Sequence, residues 1–161
     1  MNTDDIPQPA PKRHDRPLPT FAARETFFAT EKTGNAAISI TGVPLDIATT
    51  NRAGARDGPA AVRRASRMAG GTYPDLWADL YALDFADVGN FGVLMGKLDE
   101  SLALIEAQAL EHEHLIAVGG DHLVTLPLLR AAVKKHGGPL GLVHFDAHVD
   151  TWDENYTVAI T

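Results

Sequence analysis

Residues 144–155 read HFDAHVDTWDEN, a stretch that sets His144, Asp146, His148 and Asp150 at every second position directly after the apolar run LGLV. Side chains in a β-strand alternate between its two faces, so these four share a face for as long as the backbone stays extended. At the rise of a strand, Asp146 and His148 stand roughly 7 Å apart, which suits two ligands converging on one metal ion or on two ions sharing a carboxylate. A further imidazole, His122, follows Gly119, Gly120 and Asp121 at the end of a second apolar run, LIAV. Carboxylate and imidazole without thiolate favour Mn²⁺ and, less selectively, Fe²⁺, Co²⁺, Ni²⁺ or Zn²⁺. A pair of such ions lowers the pKa of a water held between them, so the expected chemistry is metal-assisted hydrolysis.

Blander readings stand beside this one. A single aspartate at a strand end commonly caps a helix or forms a turn. A lone histidine on an apolar strand is usually a hydrogen-bonded core residue, and His144 is read that way. Asp121 is read as a carboxylate that orients an imidazole or the backbone, and not as a ligand.

The elements that must position these groups alternate along the chain. Residues 36–45 and 115–120 read as buried strands, 81–89 as a weaker one, and 140–148 as another buried strand. Helices are expected over 57–68, with Asp57 or Gly58 as cap and Pro59 in the first turn, and over 97–114, where Leu98, Leu102, Ile105 and Ala109 form one stripe. A third helix is expected over 125–137, where Pro127 falls in the first turn. Strand and helix in alternation predict a parallel sheet covered by helices, a three-layer α/β fold. In such a sheet ligands bind beyond the carboxyl ends of the strands, where both polar clusters fall.

Composition narrows the function classes. The chain has 161 residues, 45% of them hydrophobic, and a formal net charge of −7, which leaves no basic stripe for nucleic acid. No apolar run approaches a membrane-spanning length, so no membrane partner is expected, and cysteine is absent, which fits a reducing cytoplasmic setting. Five of the ten prolines fall in residues 1–20, read as a proline-rich extended arm ahead of the domain at 21–161. No G-x-S-x-G elbow, P-loop or dinucleotide fingerprint is present.

The pair GGDH and DAHVD resembles the first two metal motifs of the ureohydrolase family, which includes arginase, agmatinase and guanidinobutyrase. The block TGVPLDIATTNRAGARDGPAAVRRAS (41–66) is similar to the N-terminal signature of its agmatinase branch. The resemblance implies an arginase-like αβα fold and hydrolysis of a guanidino group to urea and an amine over two Mn²⁺ ions. By the same resemblance His122 is a terminal ligand of the first manganese and Asp146 bridges both ions. His148 then binds the second ion, and Asp150 returns to the first. Trp152 stands where arginine-specific members carry an asparagine that reads the α-carboxylate. The expected substrate is therefore a small cationic guanidino compound without that group, with Trp152 packing on its chain or guanidinium.

An acidic substrate of the guanidinobutyrate type needs a cation to meet its carboxylate, and Arg52, Arg56 and Arg63 are available. The resemblance also implies later elements not found before residue 161: an Asp-x-Asp metal motif, a His-Gly element with a catalytic histidine, and a glutamate near the guanidinium. On this reading the chain is the N-terminal half of a domain that forms homo-oligomers when complete. The catalytic residues are then expected in the other half, and these 161 residues alone are expected to bind metal weakly and turn over no substrate. A non-catalytic fragment is the third reading.

Overall fold

The computed structural model describes residues 25–69, 72–73 and 78–150. In it the run ISITGV forms strand β1 (Ile38–Val43), with every residue after Ile38 buried. Two more parallel strands flank it, β4 (Phe85–Asn90) and β5 (His114–Gly119), in the order β4-β1-β5. Ile38 registers with Phe85 on one side and His114 on the other. A central strand ladders on both edges and packs on both faces, which is why β1 carries a continuous buried run.

Side-chain alternation sorts the sheet into two faces. Ile38, Ile40, Phe85 and Val118 pack with Phe27 and Phe28 of a 3-10 turn at Phe27–Ala29. Helix α1 (Gly58–Ser66) packs on that turn and on β1. Val43, Val88, Leu115 and Ala117 face the other way, against helices α2 (Leu98–Ala109) and α3 (Thr125–His136), which also pack on each other. The result is the expected three-layer αβα arrangement. Helix α1 approaches β1 closely because residue 42 lacks a side chain: a Cβ on Gly42 would lie 2.6 Å from Pro59 Cβ and 2.2 Å from Asn90 Oδ1.

The helices begin and end for identifiable reasons. Pro59 sits in the first turn of α1, while the side chain of Asp57 makes no capping bond. Leu102, Ile105 and Ala109 of α2 are buried as the stripe requires, but the helix stops at Ala109, short of the predicted 114. Beyond it Lys135 donates to the carbonyls of both His112 and Glu113, and His112 stacks on Phe91 at 5.8 Å. These contacts turn the chain into β5. Helix α3 ends on Gly137, whose φ of 73° is the left-handed cap geometry that glycine adopts freely.

Two strand expectations are corrected, and one element appears that the sequence did not announce. The strand predicted over 81–89 starts at Phe85, because Leu80–Ala82 is a 3-10 turn. A two-stranded antiparallel ribbon, β2 (Thr72–Tyr73) with β3 (Ala78–Asp79), carries no periodic signal at two residues per strand. Residues 140–148, read as a buried strand, ladder to no strand among the described residues, and Phe145 is 92% exposed. An apolar segment becomes a strand only where a neighbour takes its N–H and C=O groups, and here none does. Among the described residues no helix is long and apolar enough to cross a membrane. The proline-rich arm lies outside the described residues.

Candidate metal centre

Past Gly119 the pairing of β5 with β1 continues as two single bonds: Gly120 N donates to Val43 O at 2.9 Å and Asp121 N to Leu45 O at 2.8 Å. A Cβ on Gly120 would stand 2.0 Å from Leu45 O, so this crossing requires glycine. The Asp121 carboxylate that follows is buried and accepts three backbone N–H groups. Its Oδ2 takes Ile47 N at 2.7 Å and Ala48 N at 2.8 Å, and its Oδ1 takes Leu123 N at 3.0 Å. Asp121 thus caps the 3-10 turn His122–Val124 and ties it to the loop after β1. It orients backbone, as the sequence suggested, and leaves His122 at the carboxyl end of the sheet.

The second cluster meets His122 there. Its Nδ1 lies 3.0 Å from Asp150 Oδ2 and 3.8 Å from Asp146 Oδ2. His144 Nε2 is 3.5 Å from the same Asp146 oxygen, and the rings of His122 and His144 are 5.6 Å apart, inclined by 39°. Ligand atoms of His122, His144 and Asp146 all fall within 4.8 Å of one another. The reading of His144 as a core residue is therefore corrected: it stands partly exposed beside His122 and Asp146.

His148 does not join them. Asp146 Oδ1 accepts His148 N at 2.9 Å, a turn-forming bond between residues two apart, and it ends the extended run on which the shared face depended. The His148 side chain is 81% exposed, its Nδ1 being 3.8 Å from Asp146 Oδ1. The His148 N–H holds the Asp146 carboxyl below the usual carboxylate range; slight burial opposes this, and the His122, His144 and His148 imidazoles add to it. Trp152 lies outside the described residues.

The three arginines are now distinguished. Arg63 is buried in α1 and forks onto Asp87, with Nε to Oδ2 at 2.8 Å and Nη2 to Oδ1 at 2.9 Å; its third donor goes to Asn90. Arg56 Nε binds Asp46 Oδ2 at 2.6 Å, and that bond together with Gly54 N–H holds the Asp46 carboxyl below its usual range. Arg52 is exposed and makes no ion pair among the described residues. The Arg63 network escaped sequence reasoning. Its one signal was an arginine four residues after Pro59, on the stripe of α1 that also buries Pro59 and Ser66.

The sequence profile described as the arginase family matches residues 36–159. Agmatinase from Serratia proteamaculans is 45% identical over 120 residues, covering 70% of this chain and 39% of that protein. The mitochondrial guanidino acid hydrolase of Homo sapiens is 38% identical over 154 residues, covering 91% of this chain and 42% of the relative. Among solved structures, proclavaminate amidino hydrolase from Streptomyces clavuligerus superposes with a TM-score of 0.75 at 29% identity, over 86% of this chain and 48% of that one. Trypanosoma cruzi formiminoglutamase, solved with Mn²⁺, gives 0.57 at 26% identity, over 68% and 40%. The chain thus spans less than half the length of each of these proteins.

Proposed function

The chain belongs to the arginase family, and from that premise we propose that it carries the first metal motifs of a ureohydrolase that splits the guanidino group of agmatine, or of a similar cation, into urea and an amine. The observation that carries this reading is the meeting of His122 with Asp146 and Asp150 at the carboxyl end of the sheet. The donor set fits a hard-to-borderline divalent ion: partly exposed imidazole and carboxylate, with no thiolate. In this proposal His122, Asp146, His148 and Asp150 would hold the Mn²⁺ pair. When bound, the metal pair polarises the substrate and lowers the pKa of a bound water. The Mn²⁺ in the Trypanosoma cruzi relative supports the choice of ion.

The chain's own groups prepare this site. Asp121 fixes the backbone that presents His122, and the Asp150 carboxylate lies against the His122 ring and sets its orientation. A net charge of −7 draws a guanidinium cation toward the protein. Trp152 takes the substrate's alkyl chain or guanidinium face in this proposal. Cytoplasmic location and homo-oligomeric assembly belong to the same proposal.

A second reading, hydrolysis of a guanidino acid, is favoured by the likeness to the human relative and by Arg52, which is exposed and pairs with no carboxylate among the described residues. A chimera in which the later half of the Serratia proteamaculans agmatinase follows residue 159 tests both, assayed with Mn²⁺ for urea from agmatine, guanidinobutyrate and arginine. Agmatine is expected to be the best substrate, and His122→Ala is expected to silence the chimera. Preference for guanidinobutyrate selects the second reading. A folded, metal-loaded chimera that releases no urea from any of the three overturns both and leaves a non-catalytic chain.

A further inference from the structure

We propose that His144 binds a divalent metal ion together with His122 and Asp146, as a third protein ligand. The inference rests on the reading that this corner of the sheet is a metal site, and extends it to a residue outside the family-derived set. Asp146 Oδ2 faces two imidazole nitrogens, His144 Nε2 at 3.5 Å and His122 Nδ1 at 3.8 Å. Both separations exceed a charge-assisted hydrogen bond, which runs to about 2.9 Å. Among the described residues, the one hydrogen bond Asp146 makes goes to its other oxygen, from His148 N.

Those spacings are instead the spacings of donors around an ion. Ligands bound at about 2.0–2.2 Å around a tetrahedral or octahedral centre stand about 3–3.5 Å from their neighbours. Movements of a few tenths of an ångström bring each imidazole nitrogen to that distance from Asp146 Oδ2, and the ligand atoms of all three residues already lie within 4.8 Å of one another. The side chains are reachable by an incoming ion, with His122 51%, His144 34% and Asp146 27% exposed. His148 stands on the other side of the carboxylate, its Nδ1 3.8 Å from Asp146 Oδ1 and its side chain 81% exposed.

Two imidazoles and one carboxylate also specify a preference. Nitrogen-rich sets follow the order of rising affinity from Mn²⁺ through Co²⁺ more steeply than carboxylate-dominated ones, so this set takes Co²⁺ more tightly than Mn²⁺.

The test titrates the metal-free 161-residue chain with Co²⁺, followed by visible absorption and calorimetry, and compares His144→Gln with His136→Gln, a change at the exposed end of α3. One equivalent is expected to bind. His144→Gln is expected to weaken binding at least about tenfold, with His136→Gln changing it less than threefold. Pulsed electron paramagnetic resonance of bound Cu²⁺ then counts imidazole nitrogens: two in the wild type, one in His144→Gln. If His144→Gln does not fold, the nitrogen count of the wild-type chain decides alone. A count of one, an affinity unchanged in His144→Gln, or a wild-type chain that binds no Co²⁺ overturns the role of His144. None of these results touches the hydrolase reading, which stands or falls on urea release by the chimera.

Discussion

Arg63 and Asp87 form a two-point ion pair across the α1–β4 contact, with both residues buried and the Arg63 guanidinium also lying 4.3 Å from the Phe27 ring centre. Burial acts to raise the Asp87 carboxyl, but the Arg63 fork and the N–H groups of Phe27 and Gly89 outweigh it, so the group sits below the usual carboxylate range. Removing one partner of such a pair strands the other charge and costs about 3–5 kcal/mol. Asp87→Asn is therefore expected to lower the urea unfolding midpoint sharply, read by circular dichroism.

The same pair fixes a pH dependence. Because the folded carboxyl is depressed, its contribution is complete above the unfolded value of about 3.9 and disappears as pH falls through the folded value. Between pH 6 and pH 2 the wild-type midpoint is expected to fall, with a shallower slope for Asp87→Asn over the same range. Parallel slopes for the two proteins would remove Asp87 as the cause.

Gly120 and Gly138 make a controlled comparison. An added methyl at Gly120 meets the Leu45 carbonyl oxygen at 2.0 Å, where backbone must move, while at Gly138 nothing lies within 4 Å. Gly120→Ala is expected to cost about 3 kcal/mol and Gly138→Ala under about 0.5 kcal/mol, measured by chemical denaturation side by side. Equal losses would mean that the crossing of β5 over the loop after β1 is not tight.

Much of this architecture was legible in the residues. The stripe Leu98, Leu102, Ile105, Ala109 located α2, and Pro59 and Pro127 marked two helix starts, because each signal is local in sequence. The failures have a common cause. Whether 140–148 becomes a strand depends on a partner distant in sequence, and its apolar pattern is silent about that. His148 left the shared face through a single turn bond from Asp146, which period-two counting cannot see. His144, discounted as a lone histidine, gained its partner only when β5 delivered His122 to it.

Asp121 is buried with three backbone donors on two oxygens. Asp121→Asn keeps the shape but replaces one acceptor by a donor that cannot satisfy them. The expected cost is about 1–3 kcal/mol, the penalty of a buried group left unpaired. The signature is local: amide hydrogen exchange at Ile47, Ala48 and Leu123 is expected to accelerate more than exchange within α2. A uniform acceleration across the chain would show that Asp121 contributes only to global stability.

Metal uptake by the corner holding His122, Asp146 and Asp150 has a thermodynamic reading independent of catalysis. An ion that binds the folded chain and not the unfolded one raises stability by an amount set by its concentration relative to Kd. At one hundred times Kd that is about 2.7 kcal/mol, a shift of roughly 5 °C or more for a domain of this size. Mn²⁺ is expected to raise the thermal midpoint in a concentration-dependent way, and a chelator to return it to the starting value. His122 is half-exposed at the site's edge, so His122→Ala leaves the packing of β5 intact. That variant is expected to unfold at the metal-free midpoint with or without Mn²⁺. The same increment in both proteins would place the ion elsewhere on the molecule, since His122 ties the β5 corner to Asp146 and Asp150.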